Sequence, residues 1–135
     1  MTEPAAKANE HRVLLVEDQM IVAIEVEEML REFGCVVVGP VGTLKRALRL
    51  AQNERLDAAI LDISVDGETI FPVAEELQKR HVPFIFATGY AEHTLPEKWQ
   101  GLPRLGKPFK RDQLKKLMGS FFAADAEISS PRSRQ

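Results

Sequence analysis

The chain has 135 residues, 44% of them apolar and 28% charged, with a net charge of −2 and a pI near 5.9. Those figures fit a single globular domain and give no basic footprint for nucleic acid or an anionic membrane. No apolar run approaches the roughly 18 residues of a membrane span, "MTEPAAKANEH" has no signal-peptide apolar region, and one cysteine with histidines only at 11, 81 and 93 excludes a zinc site, so a cytoplasmic protein is expected.

The first apolar run is "RVLLV" (12–16), which reads as a strand buried on both faces and ends in the adjacent acids Glu17 and Asp18. A helix is predicted in "QMIVAIEVEEMLREFG", where Val22, Val26, Met29, Leu30 and Phe33 share one face and Gly34 is the stop. "CVVVG" (35–39) is the second strand, with Cys35 as a small buried hydrophobe. In "TLKRALRLAQNE" Thr43 is the predicted N-cap, with Leu44, Ala47, Leu48 and Ala51 turned inward.

"AAIL" (58–61) is the third strand, followed by Asp62, and "TIFPVAEELQKR" the third helix, with Pro72 tolerated in its first turn. "PFIFA" (83–87) is the fourth strand, leading into Thr88. "YAEHTLPEKWQG" is poor helix material because Pro96 interrupts it, and Trp99 is expected to be its half-buried anchor. "LPRLG" (102–106) is a weaker fifth strand, broken by Pro103 and Arg104 and followed by Lys107 and Pro108. A last helix starts near Arg111, with Leu114, Leu117, Met118 and Phe121 as its buried stripe. Lys110, Arg111, Lys115 and Lys116 form its solvated basic face. Residues 1–11 and 124–135 read as disordered tails around a domain at 12–123.

Alternating strands and helices imply a parallel sheet with right-handed crossovers, in which ligands bind beyond the carboxyl ends of the strands. That edge gathers Glu17, Asp18, Asp62, Thr88 and Lys107. Singly, each has a bland reading: Asp18 as a helix cap, Thr88 as a turn residue before Gly89, Lys107 as a loop charge. Together they suit a hard divalent cation and the oxygens of a transferring phosphoryl group. Asp62 is the best nucleophile, since carboxylates form aspartyl-phosphates.

In order and spacing, "VED", "LDIS" with its Asp62 44 positions after Asp18, "ATG" and "KPF" resemble the receiver domain of bacterial two-component response regulators, over residues 11–123. The resemblance implies a flavodoxin-like (βα)5 domain with a five-stranded parallel sheet in the order 2-1-3-4-5. It implies Mg²⁺-dependent transfer of a phosphoryl group from a sensor histidine kinase to Asp62. By the same pattern Asp18, Asp62 and the backbone carbonyl of Ser64 bind the metal directly, and Glu17 acts through water. Thr88 and Lys107 would hold phosphoryl oxygens, Gly89 would leave the donor room, and the bond before Pro108 would be cis.

Receivers commonly carry an aromatic residue three positions before the lysine; here Arg104 stands there. "FATGY" instead resembles the FAT GUY variant of the family, with Tyr90 the substitute partner for the Thr88 switch. The Pro96-interrupted segment "YAEHTLPEKWQG" is then expected to be mobile without phosphate and to order on phosphorylation.

With only polar residues after the last helix, a stand-alone response regulator is expected, not an enzyme. It would signal to an unidentified downstream protein or a second kinase, with no nucleic acid or membrane partner. Two alternatives stand beside it. A degenerate receiver would act as a phosphorylation-independent adaptor. An aspartyl-phosphate-type phosphatase would want a second acid two residues after the nucleophile, where this chain has Ser64.

Overall fold

Alternating side chains on the first strand, β1 (His11–Val16), decide the layering. Val13 and Leu15 face one way and Leu14 and Val16 the other, and all four are buried, so both faces of the sheet must be covered. The structure, a computed structural model, describes residues 10–89 and 95–129. The helices are α1 (Met20–Glu32), α2 (Leu44–Asn53), α3 (Phe71–Lys79) and α4 (Arg111–Ser129). The remaining strands are β2 (Cys35–Val41), β3 (Ala58–Asp62), β4 (Ser64–Val65), β5 (Glu68–Thr69), β6 (Phe84–Thr88) and β7 (Arg104–Gly106).

The main sheet runs β2-β1-β3-β6-β7, all parallel, which is the expected order once the β4–β5 hairpin is set aside. One core layer joins Leu14, Leu61 and Phe86 to Ala47 of α2 and Val73 and Leu77 of α3. The other joins Val13, Leu15, Ile60 and Ile85 to Val26 and Leu30 of α1 and Leu114 and Met118 of α4.

Local chemistry explains most boundaries. Gly34 takes φ +87 after α1, the left-handed conformation a helix stop requires. The Thr43 side chain accepts the Arg46 N–H at 3.3 Å as the α2 N-cap. Pro72 sits in the first turn of α3, where no N–H is needed. No helix among the described residues is long and apolar enough to cross a membrane.

Several boundaries differ from expectation. β1 starts at His11, whose ring stacks on Phe122 with centroids 3.7 Å apart, so the strand takes in a residue assigned to the tail. β2 continues through Gly39 and Pro40 to Val41. The fifth strand shrinks to Arg104–Gly106, because Pro103 has no N–H to give to a ladder. Helix α4 continues to Ser129, six residues past the expected end of the domain. "AADAE" is good helix-forming sequence, and no proline intervenes before Pro131. Trp99 is fully buried, not half-buried, at 2% exposure. It packs among Phe71, Phe84 and Phe86 at centroid distances near 6.0 Å, because the three-residue turn Glu97–Trp99 lays its ring against α3 and β6.

Candidate functional site at the carboxyl edge of the sheet

Glu17 and Asp18 leave the end of β1 beside a bulge in β2. Leu14 pairs with Val38 but Val16 with Val41, so two residues, Gly39 and Pro40, face one. Beyond the bulge the Glu17 N–H bonds Val41 O at 2.9 Å, which extends the ladder to the first acid. Gly42 then passes so close that a Cβ there would meet Asp18 Cα at 3.3 Å.

Asp62 ends β3, and Lys107 follows β7. The Lys107 N–H donates to Thr88 O at 2.9 Å, tying the ends of β6 and β7 together. The bond between Lys107 and Pro108 is cis, as expected. From there the ammonium reaches inward: Nζ lies 3.1 Å from Glu17 Oε1 and 3.2 Å from Asp62 Oδ2. Glu17 is 5% exposed and Asp62 4%. Burial pushes the Asp62 carboxyl up to about 7, helped by Glu17 and opposed by Lys107. Burial by itself lowers the Lys107 ammonium, but Asp62 and Glu17 outweigh it and hold it above its ordinary value.

Glu17, Asp18 and Asp62 each offer a carboxylate oxygen within 4.8 Å of the others. Against these three carboxylates stands, among the described residues, the ammonium of Lys107, so the cluster is under-neutralised. An all-oxygen, anionic donor set of this kind suits Mg²⁺.

The structure therefore gathers Glu17, Asp18, Asp62 and Lys107. Ser64 opens β4 directly beyond the cluster, and half-buried Thr88 closes β6, with Gly89 next in the chain. Arg104 is exposed on β7 in register with Phe86, two positions along β6 from Thr88. Tyr90 lies outside the described residues, as does 91–94 of the Pro96-interrupted segment expected to order on phosphorylation; its remainder, 95–101, is described and holds the Glu97–Trp99 turn.

One participant was missed from sequence. The Asp66 N–H donates to Asp18 Oδ2 at 2.8 Å, across 48 positions of chain. It sits in a two-residue turn between β4 and β5, with Asp66 at φ 51 and Gly67 at φ 81. Asp-Gly between short extended segments is a strong hairpin signal, and "SVDGET" carries it.

The model of the "Response regulator receiver domain" family matches residues 13–118. Transcriptional regulatory protein PdtaR of Mycobacterium tuberculosis is 31% identical over 121 residues, 84% of this chain and 59% of the relative. The chain thus spans only part of the curated relatives it matches. The solution structure of SdrG from Sphingomonas melonis Fr1 superposes with a TM-score of 0.77 at 34% identity, covering 85% of this chain and 98% of SdrG. SdrG has also been solved in a BeF3-activated conformation, which superposes at 0.69 over 82% of this chain and 95% of SdrG, again at 34% identity. The receiver domain of sensor histidine kinase PA1611 from Pseudomonas aeruginosa, with magnesium coordinated in its active-site cleft, superposes at 0.74 with 29% identity, over 84% of this chain and 98% of that domain. With a family model over most of its length and these relatives beside it, this chain belongs to the response regulator receiver domain family of two-component signalling.

Proposed function

We propose that the chain is a phosphorylation-controlled switch that accepts a phosphoryl group on Asp62 from a histidine kinase. The observation that carries this reading is Lys107 Nζ, held within 3.2 Å of Asp62 Oδ2 and 3.1 Å of Glu17 Oε1 at a three-carboxylate cluster. An Asp62 oxygen attacks phosphorus, forming the acyl-phosphate O–P bond. The P–N bond to the donor imidazole breaks, and its electron pair returns to the ring nitrogen.

Asp18, Asp62 and the Ser64 carbonyl would hold Mg²⁺, with Glu17 acting through water. When bound, the ion would offset carboxylate charge and polarise phosphoryl oxygens. Lys107 needs to move little to meet a phosphoryl group on Asp62, because it already contacts that carboxylate. Thr88 and Gly89 line the same edge and would receive the group, Thr88 as a hydroxyl donor and Gly89 by leaving space. Tyr90 is the proposed partner of Thr88 in signalling, with exposed Arg104, at the position of the usual aromatic, the alternative. Output through a downstream protein or a second kinase, in the cytoplasm, completes the reading.

Intact mass after incubation with acetyl phosphate and Mg²⁺ tests it. One added phosphoryl group is expected, lost in Asp62→Asn and on chelation. If neither acetyl phosphate nor a panel of histidine kinases adds mass to the folded protein, the phosphorylation-independent adaptor reading replaces it.

A further inference from the structure

Glu17 and Asp18 are adjacent in sequence but are held by different means. Glu17 is buried, and its Oε2 takes the Gln19 N–H at 3.0 Å in addition to the Lys107 contacts. Asp18 is exposed, and its Oδ2 takes the Asp66 N–H. An exposed carboxylate rotates freely unless a donor selects one orientation, and this donor is set on a rigid mount.

The mount is the β4–β5 hairpin. Ser64 pairs with Thr69 and Val65 with Glu68, and the Ile70 N–H closes the loop onto Ile63 O at 2.9 Å. Val65 and Ile70 are fully buried and Ile63 nearly so, which anchors the hairpin base in the core while Asp66 and Gly67 stand exposed at its tip. Both tip residues take positive φ, so the direction of the Asp66 N–H depends on that turn. The same eight residues begin immediately after Asp62 and carry Ser64.

We infer that the Asp66–Gly67 turn is a positioning element for the divalent cation: its Asp66 N–H fixes the Asp18 carboxylate in the orientation that, with Asp62, receives Mg²⁺. This rests on the metal-binding reading above and adds a residue to it. The backbone of Asp66 does the positioning; its side chain is dispensable.

The test is Mg²⁺ affinity by titration calorimetry on the full chain, with circular dichroism to verify folding. Asp66→Pro removes the N–H and cannot take positive φ, so it is expected to weaken Mg²⁺ binding by roughly tenfold or more, the usual effect of losing a partner that orients a ligand. Gly67→Val, which disfavours φ 81 by β-branching, is expected to act in the same direction, and it decides the matter should Asp66→Pro not fold. Asp66→Gly keeps both the N–H and the turn, so it should bind within about twofold of the wild type. Wild-type affinity in the folded turn-breaking variants would overturn the inference, as would a loss in Asp66→Gly equal to theirs. If the wild type itself bound no Mg²⁺, the metal-binding reading would fall first and the inference with it.

Discussion

Asp62 sits buried between an anion and a cation, and burial, helped by Glu17, outweighs the opposing pull of Lys107. Its carboxyl stands at about 7 in the fold against 3.8 for the free side chain. For an acid raised in this way the folded state binds a proton that the unfolded chain has released, so stability falls as pH rises through the window from about 4 to about 7. Below that window the penalty is absent; above it the penalty is complete. Asp62→Asn keeps the shape without the charge. Without metal it should therefore be more stable than the wild type at pH 8, by about 2 kcal/mol, with the gain vanishing toward pH 4. Urea unfolding in a chelator at the two pH values measures this. An Asp62→Asn protein no more stable than the wild type at pH 8 would show that Lys107 alone neutralises the site.

At the scale of elements, the two glycines at 39 and 119 have opposite expected effects. Gly39 lies in the β2 bulge at φ +103, and a Cβ would meet Leu15 O at 2.9 Å and Val41 N at 3.0 Å, both backbone. Gly39→Ala must push β2 from β1 just where Val41 O receives the Glu17 N–H, and a loss of about 2 kcal/mol or more is expected. Gly119 lies within α4 with open space around its Cβ position, so Gly119→Ala should stabilise by about 0.5–1 kcal/mol through helix propensity. Denaturant midpoints of the two variants check both signs; a neutral Gly39→Ala would mean that the bulge gives way without strain. The same elements show how far the sequence could be read. The doubly buried strands, the Thr43 cap, the Gly34 stop and the carboxylates at the strand ends carry local signals and fall where expected. The close approach of Gly39 to Leu15 and the reach of Asp66 to Asp18 join residues far apart in the chain, so no window of sequence contains them. The full burial of Trp99 is not legible in its own short turn, because its environment comes from α3 and β6.

For the molecule as a whole, the parallel sheet separates function from support. Two apolar layers hold the strands, and the charges that cannot be buried cheaply converge at one edge. Any ligand that binds only the folded arrangement stabilises the whole domain by mass action, by about 2.7 kcal/mol at a hundred times its dissociation constant. Mg²⁺ is therefore expected to raise the melting temperature of the wild type, and charge counting predicts how variants rank. Lys107→Met removes the ammonium that competes with the cation for Glu17 and Asp62, so the metal-free protein should melt lower and gain more from Mg²⁺. Asp62→Asn removes one of the three carboxylates, so it should gain less. Thermal melts at matched ionic strength, with and without Mg²⁺, read out the order Lys107→Met, wild type, Asp62→Asn. An equal gain in all three would place Mg²⁺ binding elsewhere on the surface and separate the stability of this fold from the acidic cluster.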